Sequence, residues 1–433
     1  MVESSAKYTL RSTRVVLPSG VQPADILIAD GLIASVSAAS LRPPAPNLRD
    51  VGDLVIMPGI VDTHVHVNEP GRTDWEGFAT AGAAAAAGGV TTIVDMPLNS
   101  VPATTTVRAL EEKRRAANGA RVRLEFWGGV VPGNTTDLDR LATAGVRGFK
   151  CFLSPSGVAE FAPVNEGDLN AALPILARRG LPLLVHAEWP PALRPIPPTA
   201  DTRMYTTWLD SRPDAAERDA IARLVAFCRD HRARIHVVHV SSASALPLLR
   251  EARAEGLPLT AETCPHYLTF AAEEIPPGAT EFKCAPPIRN AETREALWRA
   301  LEDGTIDLVA TDHSPAPPAM KPPGDFVAAW GGIAALELGL AAVWTGASQR
   351  GIGVDRVSRW LSSAPAALAG LTSRGTIAAG LDADLVVWDP SVEWVVDQER
   401  LRQRHKLTPY HGHVLRGRVI ETYVRGRLVY REA

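Results

Sequence analysis

Between residues 58 and 365, short β-branched or apolar runs alternate with polar or glycine-containing punctuation and then with stretches rich in Ala, Leu, Arg and Glu. This alternation predicts parallel strands joined by helices. The runs at 55–67, 90–96, 122–130, 146–153, 181–187, 234–240, 258–268 and 306–313 read as the strands, and eight strands close a β/α barrel. The flanks differ. Residues 8–57 and 375–431 alternate around turn glycines with no long helical pattern, which predicts antiparallel β-structure. The expected architecture is α/β: a (β/α)8 TIM-like barrel over 58–365, and a small β-sandwich domain built from both chain ends, 1–57 with 366–433. The alanine run at 83–87, followed by Gly88 and Gly89, reads as a tightly packed helix end.

Length fits this picture, since 433 residues suit one barrel and a smaller unit. Hydrophobic residues make up 46% and charged residues 21%, with a formal net charge of −3. That balance gives no electrostatic reason to expect a nucleic acid or an acidic membrane as partner, so a small-molecule substrate is expected. Cys151, Cys228, Cys264 and Cys284 are too few for a disulfide framework and form no CxxC pair. A reducing cytoplasm fits them. The opening MVESSAKYTLRSTRVVLPSG has no apolar leader core, and no later stretch reaches the roughly 18 apolar residues of a membrane helix.

Chemistry enters at Asp62-Thr-His64-Val-His66, at the end of the first predicted strand. Alternation along a strand puts His64 and His66 on one face, where both imidazoles reach one ion. Two partly buried histidines with ordinary hydrogen bonds would read the same way. The positions of Lys150, His186, His239 and Asp312 tip the balance, because each falls near the C-terminal end of predicted strands four, five, six and eight. A barrel brings those ends to one rim, where catalytic groups of this architecture lie. Lys150 is a puzzle there: an ammonium on an apolar strand beside cations is destabilised and offers no lone pair to a metal. Either an acid pairs with it or chemistry removes its charge. In RIHVVHVSS, the odd spacing of His236 and His239 puts them on opposite faces, and His239, at the strand end, is the expected ligand. His266 reads as packing behind the site.

Together, DTHVH, GFKCF, LLVHAE, HVVHVSS and TDHSP resemble the cyclic amidohydrolases over nearly the whole chain. That family includes dihydropyrimidinases, hydantoinases, dihydroorotases and allantoinases. DMPLNS, the Ser/Gly loop after GFKCF, TCPHYL, KCAPPIR, AWGGI and HKLTPYHG are most similar to the allantoinase branch. The resemblance implies a pair of divalent metals, with His64, His66 and Asp312 holding the more buried ion and His186 and His239 the other. It also implies that CO2 carboxylates Lys150 to an anionic carbamate that bridges them. Zinc suits such ligands, as do cobalt, manganese, nickel and iron. A water shared by two cations ionises near neutral pH, and Asp312 would carry its proton to the departing amide nitrogen. The implied reaction opens (S)-allantoin to allantoate, and a homotetramer is implied by analogy.

Finer marks separate the branches. Dihydroorotases carry an arginine two residues after HxH and an asparagine after Met-Pro; here those positions are Asn68 and Leu98. Hydantoinases typically place a tyrosine in the loop after the carboxylated lysine, whereas this loop reads Leu153-Ser154-Pro155-Ser156-Gly157. The resemblance further implies that backbone groups of Ala285 and Gly331 hold the ring amide and that Ser156 meets the ureido group. Where allantoinases usually read DHSPCPP, this chain carries Ala316 in place of the cysteine.

Overall fold

In the computed structural model, which describes residues 7–39 and 47–432, the apolar runs become eight short parallel strands. They are Ile60–Val65, Val90–Asp95, Arg123–Phe126 continued by Gly128–Gly129, Phe149–Phe152, Leu183–His186, Ile235–Val237, Leu259–Thr263 and Leu308–Val309. Each pairs in parallel with the next. Val65 and His313 close the ring through a parallel bridge, and the His66 amide donates to the His313 carbonyl at 2.8 Å. The strands are buried on both faces, as expected of a parallel sheet covered by helices. The alanine run forms the end of the helix Phe78–Ala87, most of it buried.

The chain ends form an eight-stranded sheet. Its order is Arg427–Arg431, Val414–Val424, Leu385–Val395, Val55–Pro58, Tyr8–Leu17, Gly20–Ala29 and Leu32–Ala38, with Leu48–Asp50 paired to Tyr8–Leu17. Leu10, Ile26, Ile28 and Ile33 from the first segment share one buried cluster with Leu385, Val387 and Tyr423 from the last. The parts of the expected 1–57 and 366–433 unit that fall on 1–6, 40–46 and 433 lie outside the described residues.

Three local expectations change. The apolar run 55–67 is not one strand: Val55–Pro58 pairs with Leu385–Val395 in the end sheet, and Ile60–Val65 pairs with Val90–Asp95 in the barrel. The end sheet is not wholly antiparallel, because Tyr8–Leu17 runs parallel to both Val55–Pro58 and Leu48–Asp50. Alternation reports which face is buried but not strand direction. The end of the run 258–268 passes into the helical turn Pro265–Thr269, which begins at a residue that fits a first helical position and donates nothing to a ladder.

Candidate active site

His64 ends the first strand, with its ring between two acids. Its Nδ1 lies 2.5 Å from Glu262 Oε1, and its Nε2 lies 3.2 Å from Asp312 Oδ1. His66 Nε2 lies 3.5 Å from the same Asp312 oxygen. The two rings stand 5.5 Å apart between centroids, as alternation on a strand requires. His66 Nδ1 faces the Asn99 side-chain amide at 3.4 Å, and Asn99 Oδ1 has no partner. Turning that amide over would let the imidazole donate to its oxygen, the assignment the hydrogen bonding favours.

His239 and Asp312 reach the site by a different route. Both lie just past their short strands with left-handed backbones, φ 40° and 46°. Few non-glycine residues adopt that conformation, and it concentrates at functional sites. It also corrects the expectation that His236 and His239 face opposite ways, because strict alternation ends at Val237. His236 stays in the barrel, bonded to Thr260 Oγ1 at 2.8 Å and Glu262 Oε2 at 3.0 Å. The His239 ring stands 5.3 Å from that of His64, and its Nε2 lies 3.0 Å from His186 Nδ1. Ligand atoms of His64, His239 and Asp312 all lie within 4.8 Å of one another, a group able to hold a metal ion. His186, at the end of the fifth strand, stacks on Phe152 at 4.5 Å and meets Glu188 Oε2 with its Nε2 at 2.7 Å. Glu188 in turn pairs with Arg212.

Lys150 is fully buried, and its Nζ has no hydrogen-bond partner. Burial pushes the ammonium down to about 8, against the pull of Glu262 and Asp312. The same burial lowers His66 to about 4 and takes His239 well below its ordinary value. Burial would raise the acids, but neighbouring cations win. The His64 charge and the His66 bond hold Asp312 well below the usual carboxylate range. Arg212 and His186 hold Glu188 at about 2, and His64 and His236 do the same for Glu262. The outcome is a cluster of imidazoles and carboxylates in which burial disfavours the charged forms of His66, His186 and His239 and the acids are held ionised around one orphaned amine, a donor set that suits a divalent cation.

His64, His66, His186, His239 and Asp312 floor a cavity of about 360 Å³ whose walls include Ser156, Ala285 and Gly331. A Cβ on Gly331 would sit 3.9 Å from the Ala285 nitrogen, so the two backbones run side by side. Ser156 Oγ donates to the Phe161 carbonyl at 2.7 Å and accepts from the Val158 amide at 3.4 Å, which leaves one lone pair for a ligand. At the mouth, a Cβ on Gly157, whose φ is 88°, would touch the Trp330 ring at 3.4 Å. Leu98 lines the cavity; Asn68 is buried and donates weakly to the Pro315 carbonyl at 3.4 Å. Ala316 is buried and lines a separate small void with Lys321 and His405. His266 is buried against Tyr267, and neither ring nitrogen has a partner. The four cysteines are buried and free. Glu188, Arg212, Asn99 and Glu262, together with Lys283 on the cavity wall, are not among the residues that the sequence motifs point to. The acid in HAE and the acid alternating with Thr260 on the seventh strand were the available signals.

A family description, "Amidohydrolase family", matches residues 55–429. An allantoinase of Streptomyces avermitilis is 51% identical over 428 residues, covering 98% of this chain and 96% of that protein. An allantoinase of Arabidopsis thaliana is 43% identical, covering 98% of this chain and 88% of its own. Among solved structures, the L-hydantoinase from Arthrobacter aurescens superposes with a TM-score of 0.93 at 32% identity, covering 98% of this chain and 96% of that one. With the match spanning barrel and end sheet alike, this chain belongs to the amidohydrolase family.

Proposed function

We propose that this chain is a metal-dependent cyclic amide hydrolase that opens (S)-allantoin to allantoate. The observation that carries the reading is the partnerless Lys150 amine, buried among His64, His66, His186, His239 and Asp312 beneath a substrate-sized cavity. The likeness to allantoinases over nearly the full chain supports this choice of ring.

The donor set suits two divalent cations, zinc first: His64, His66 and Asp312 would hold one, His186 and His239 the other, and a carboxylated Lys150 would serve both. An amine held near 8 has an appreciable neutral fraction, whose lone pair adds to CO2 and releases a proton to give a carbamate. Held by these residues, divalent cations would make a bound water acidic and would polarise the ring carbonyl. Asp312 takes the proton of the attacking water and returns it to the amide nitrogen as the carbon–nitrogen bond breaks. Ala285 and Gly331 present backbone groups to the ring amide, and Ser156 offers its remaining lone pair to a ureido N–H group. No helix among the described residues is long and apolar enough to cross a membrane. We place the protein in the cytoplasm as a homotetramer, with a barrel over 58–365 and an end unit from 1–57 and 366–433.

The test is ring opening of allantoin, hydantoin, dihydrouracil and dihydroorotate by protein reconstituted with zinc, cobalt or manganese in bicarbonate. Allantoin is expected to dominate. Preference for hydantoin or dihydrouracil would move the substrate to the chemistry named for the Arthrobacter relative. Full activity after chelation would remove the metal reading.

A further inference from the structure

Two buried acids touch the candidate ligands from outside. Glu262 puts one oxygen 2.5 Å from His64 Nδ1 and the other 3.0 Å from His236 Nε2. Glu188 puts Oε2 2.7 Å from His186 Nε2. Both side chains are fully buried, and each touches a different ring nitrogen: Nδ1 on His64, Nε2 on His186. A carboxylate only accepts hydrogen bonds, so in a singly protonated ring the nitrogen nearer a carboxylate oxygen carries the proton and the other carries the lone pair. At His64 both nitrogens face carboxylates, and because Glu262 at 2.5 Å is nearer to Nδ1 than Asp312 at 3.2 Å is to Nε2, the proton goes to Nδ1 and Nε2 is the freed nitrogen. For His186 it is Nδ1, which faces His239 Nε2 at 3.0 Å.

We infer that Glu188 and Glu262 are positioning residues that fix opposite tautomers at His186 and His64, turning the free nitrogens of both rings into one site. Glu188 is itself held: Arg212 pairs with the same oxygen, and the Arg212 guanidinium lies 4.5 Å above the Trp208 ring. Phe152 stacks on a face of His186 at 12° and holds the ring plane, so that Glu188, a charged group that only accepts, takes the proton in preference to His239 Nε2 at 3.0 Å. The inference rests on the metal-site reading above. It adds that a neutral ring free to exchange tautomers would spend part of its time with N–H aimed at the cation, and binding would weaken accordingly.

The test uses the full-length protein, metal-free and ¹⁵N-labelled at histidine, followed by zinc titration against a chromogenic chelator. In the wild type, His186 is expected to carry its proton on Nε2 and His64 on Nδ1. Glu188→Leu removes the acceptor. It is expected to mix the His186 tautomers and weaken one zinc equivalent roughly 10- to 100-fold, leaving the other equivalent and His64 as they were. Glu188→Gln keeps an acceptor oxygen and is expected to restore both. Glu262→Leu is expected to do the same at His64; if it does not fold, the Glu188 pair of variants decides alone. An unchanged His186 tautomer in a folded Glu188→Leu protein, or equal loss of both zinc equivalents, would overturn the inference. A wild type that binds no zinc would sink the metal reading, while the tautomers of the metal-free protein would still decide this one.

Discussion

Lys150 exposes a conflict between stability and chemistry within one side chain. Its amine is fully buried with no hydrogen-bond partner, an arrangement that penalises folding by about 1–3 kcal/mol. Lys150→Met keeps the volume and removes the polar head. The metal-free variant should therefore gain about that much stability, read as a higher urea midpoint in the presence of chelator, while turnover of the metal-loaded enzyme vanishes. A variant no more stable than the wild type, or one that still turns over, would show that the amine has a partner or no task. At this scale part of the candidate site could be read from sequence, because the HxH spacing and the placing of Lys150 and His186 on strands follow from strand geometry, whereas His239 and Asp312 lie just past theirs. Glu188 and Glu262 could not be read the same way. An acid on an apolar strand resembles a solvated residue until the register pairing His236 with Thr260 places Glu262 between two imidazoles.

Elements were harder to delimit than to detect. The run 55–67 is apolar throughout, and nothing in its hydrophobicity marks where the chain leaves one sheet for the other. The marker is Gly59, whose amide donates to the Asp384 carbonyl at 2.8 Å in the end segment while Ile60 already bonds to Gly89. A Cβ there would lie 2.3 Å from the Thr91 side chain, far inside contact distance, with backbone pinned on both sides. Gly59→Ala should therefore lower stability by about 1–3 kcal/mol, measured as a fall in the urea midpoint; an unaltered midpoint would mean the crossover has room to shift. The sixth and eighth strands illustrate a related limit. Their apolar runs predict six or more residues, yet the ladders hold three and two, because His239 and Asp312 need left-handed backbone to turn into the site. Function truncates the element, and hydrophobic patterning carries no sign of it.

The two sheets are parts of one packed body. Val16, Val55, Met57, Val386, Trp388, Leu415 and Val419 of the end unit belong to the same buried cluster as the barrel's Ile60, Val90 and Ile93. Polar links run alongside: Arg123 of the third barrel strand reaches Asp382 at 2.6 Å and Asp384 at 3.3 Å, and Arg374 reaches Glu125 at 3.1 Å. At the catalytic rim the HKLTPYHG segment ties down barrel loops, with His405 against the Asp74 carbonyl at 2.7 Å and Thr408 on the Ala334 carbonyl at 2.8 Å. A shared core of this kind makes separate unfolding unfavourable, since either half alone would expose the apolar face of the other. Urea unfolding of the metal-free chain should therefore be a single transition, coincident by far-UV circular dichroism and by tryptophan fluorescence. The fluorescence reports on both parts, through Trp388 in the end sheet and Trp127 and Trp298 in the barrel. Asp382→Ala sharpens the test, because that carboxylate serves Arg123, Arg374 and Ser373 at once. Breaking a partly buried network should shift the whole transition by about 1–3 kcal/mol and leave its two probes superimposed. If the variant splits the transition, with one probe moving ahead of the other, the end unit holds its own stability and the shared core does not couple the two.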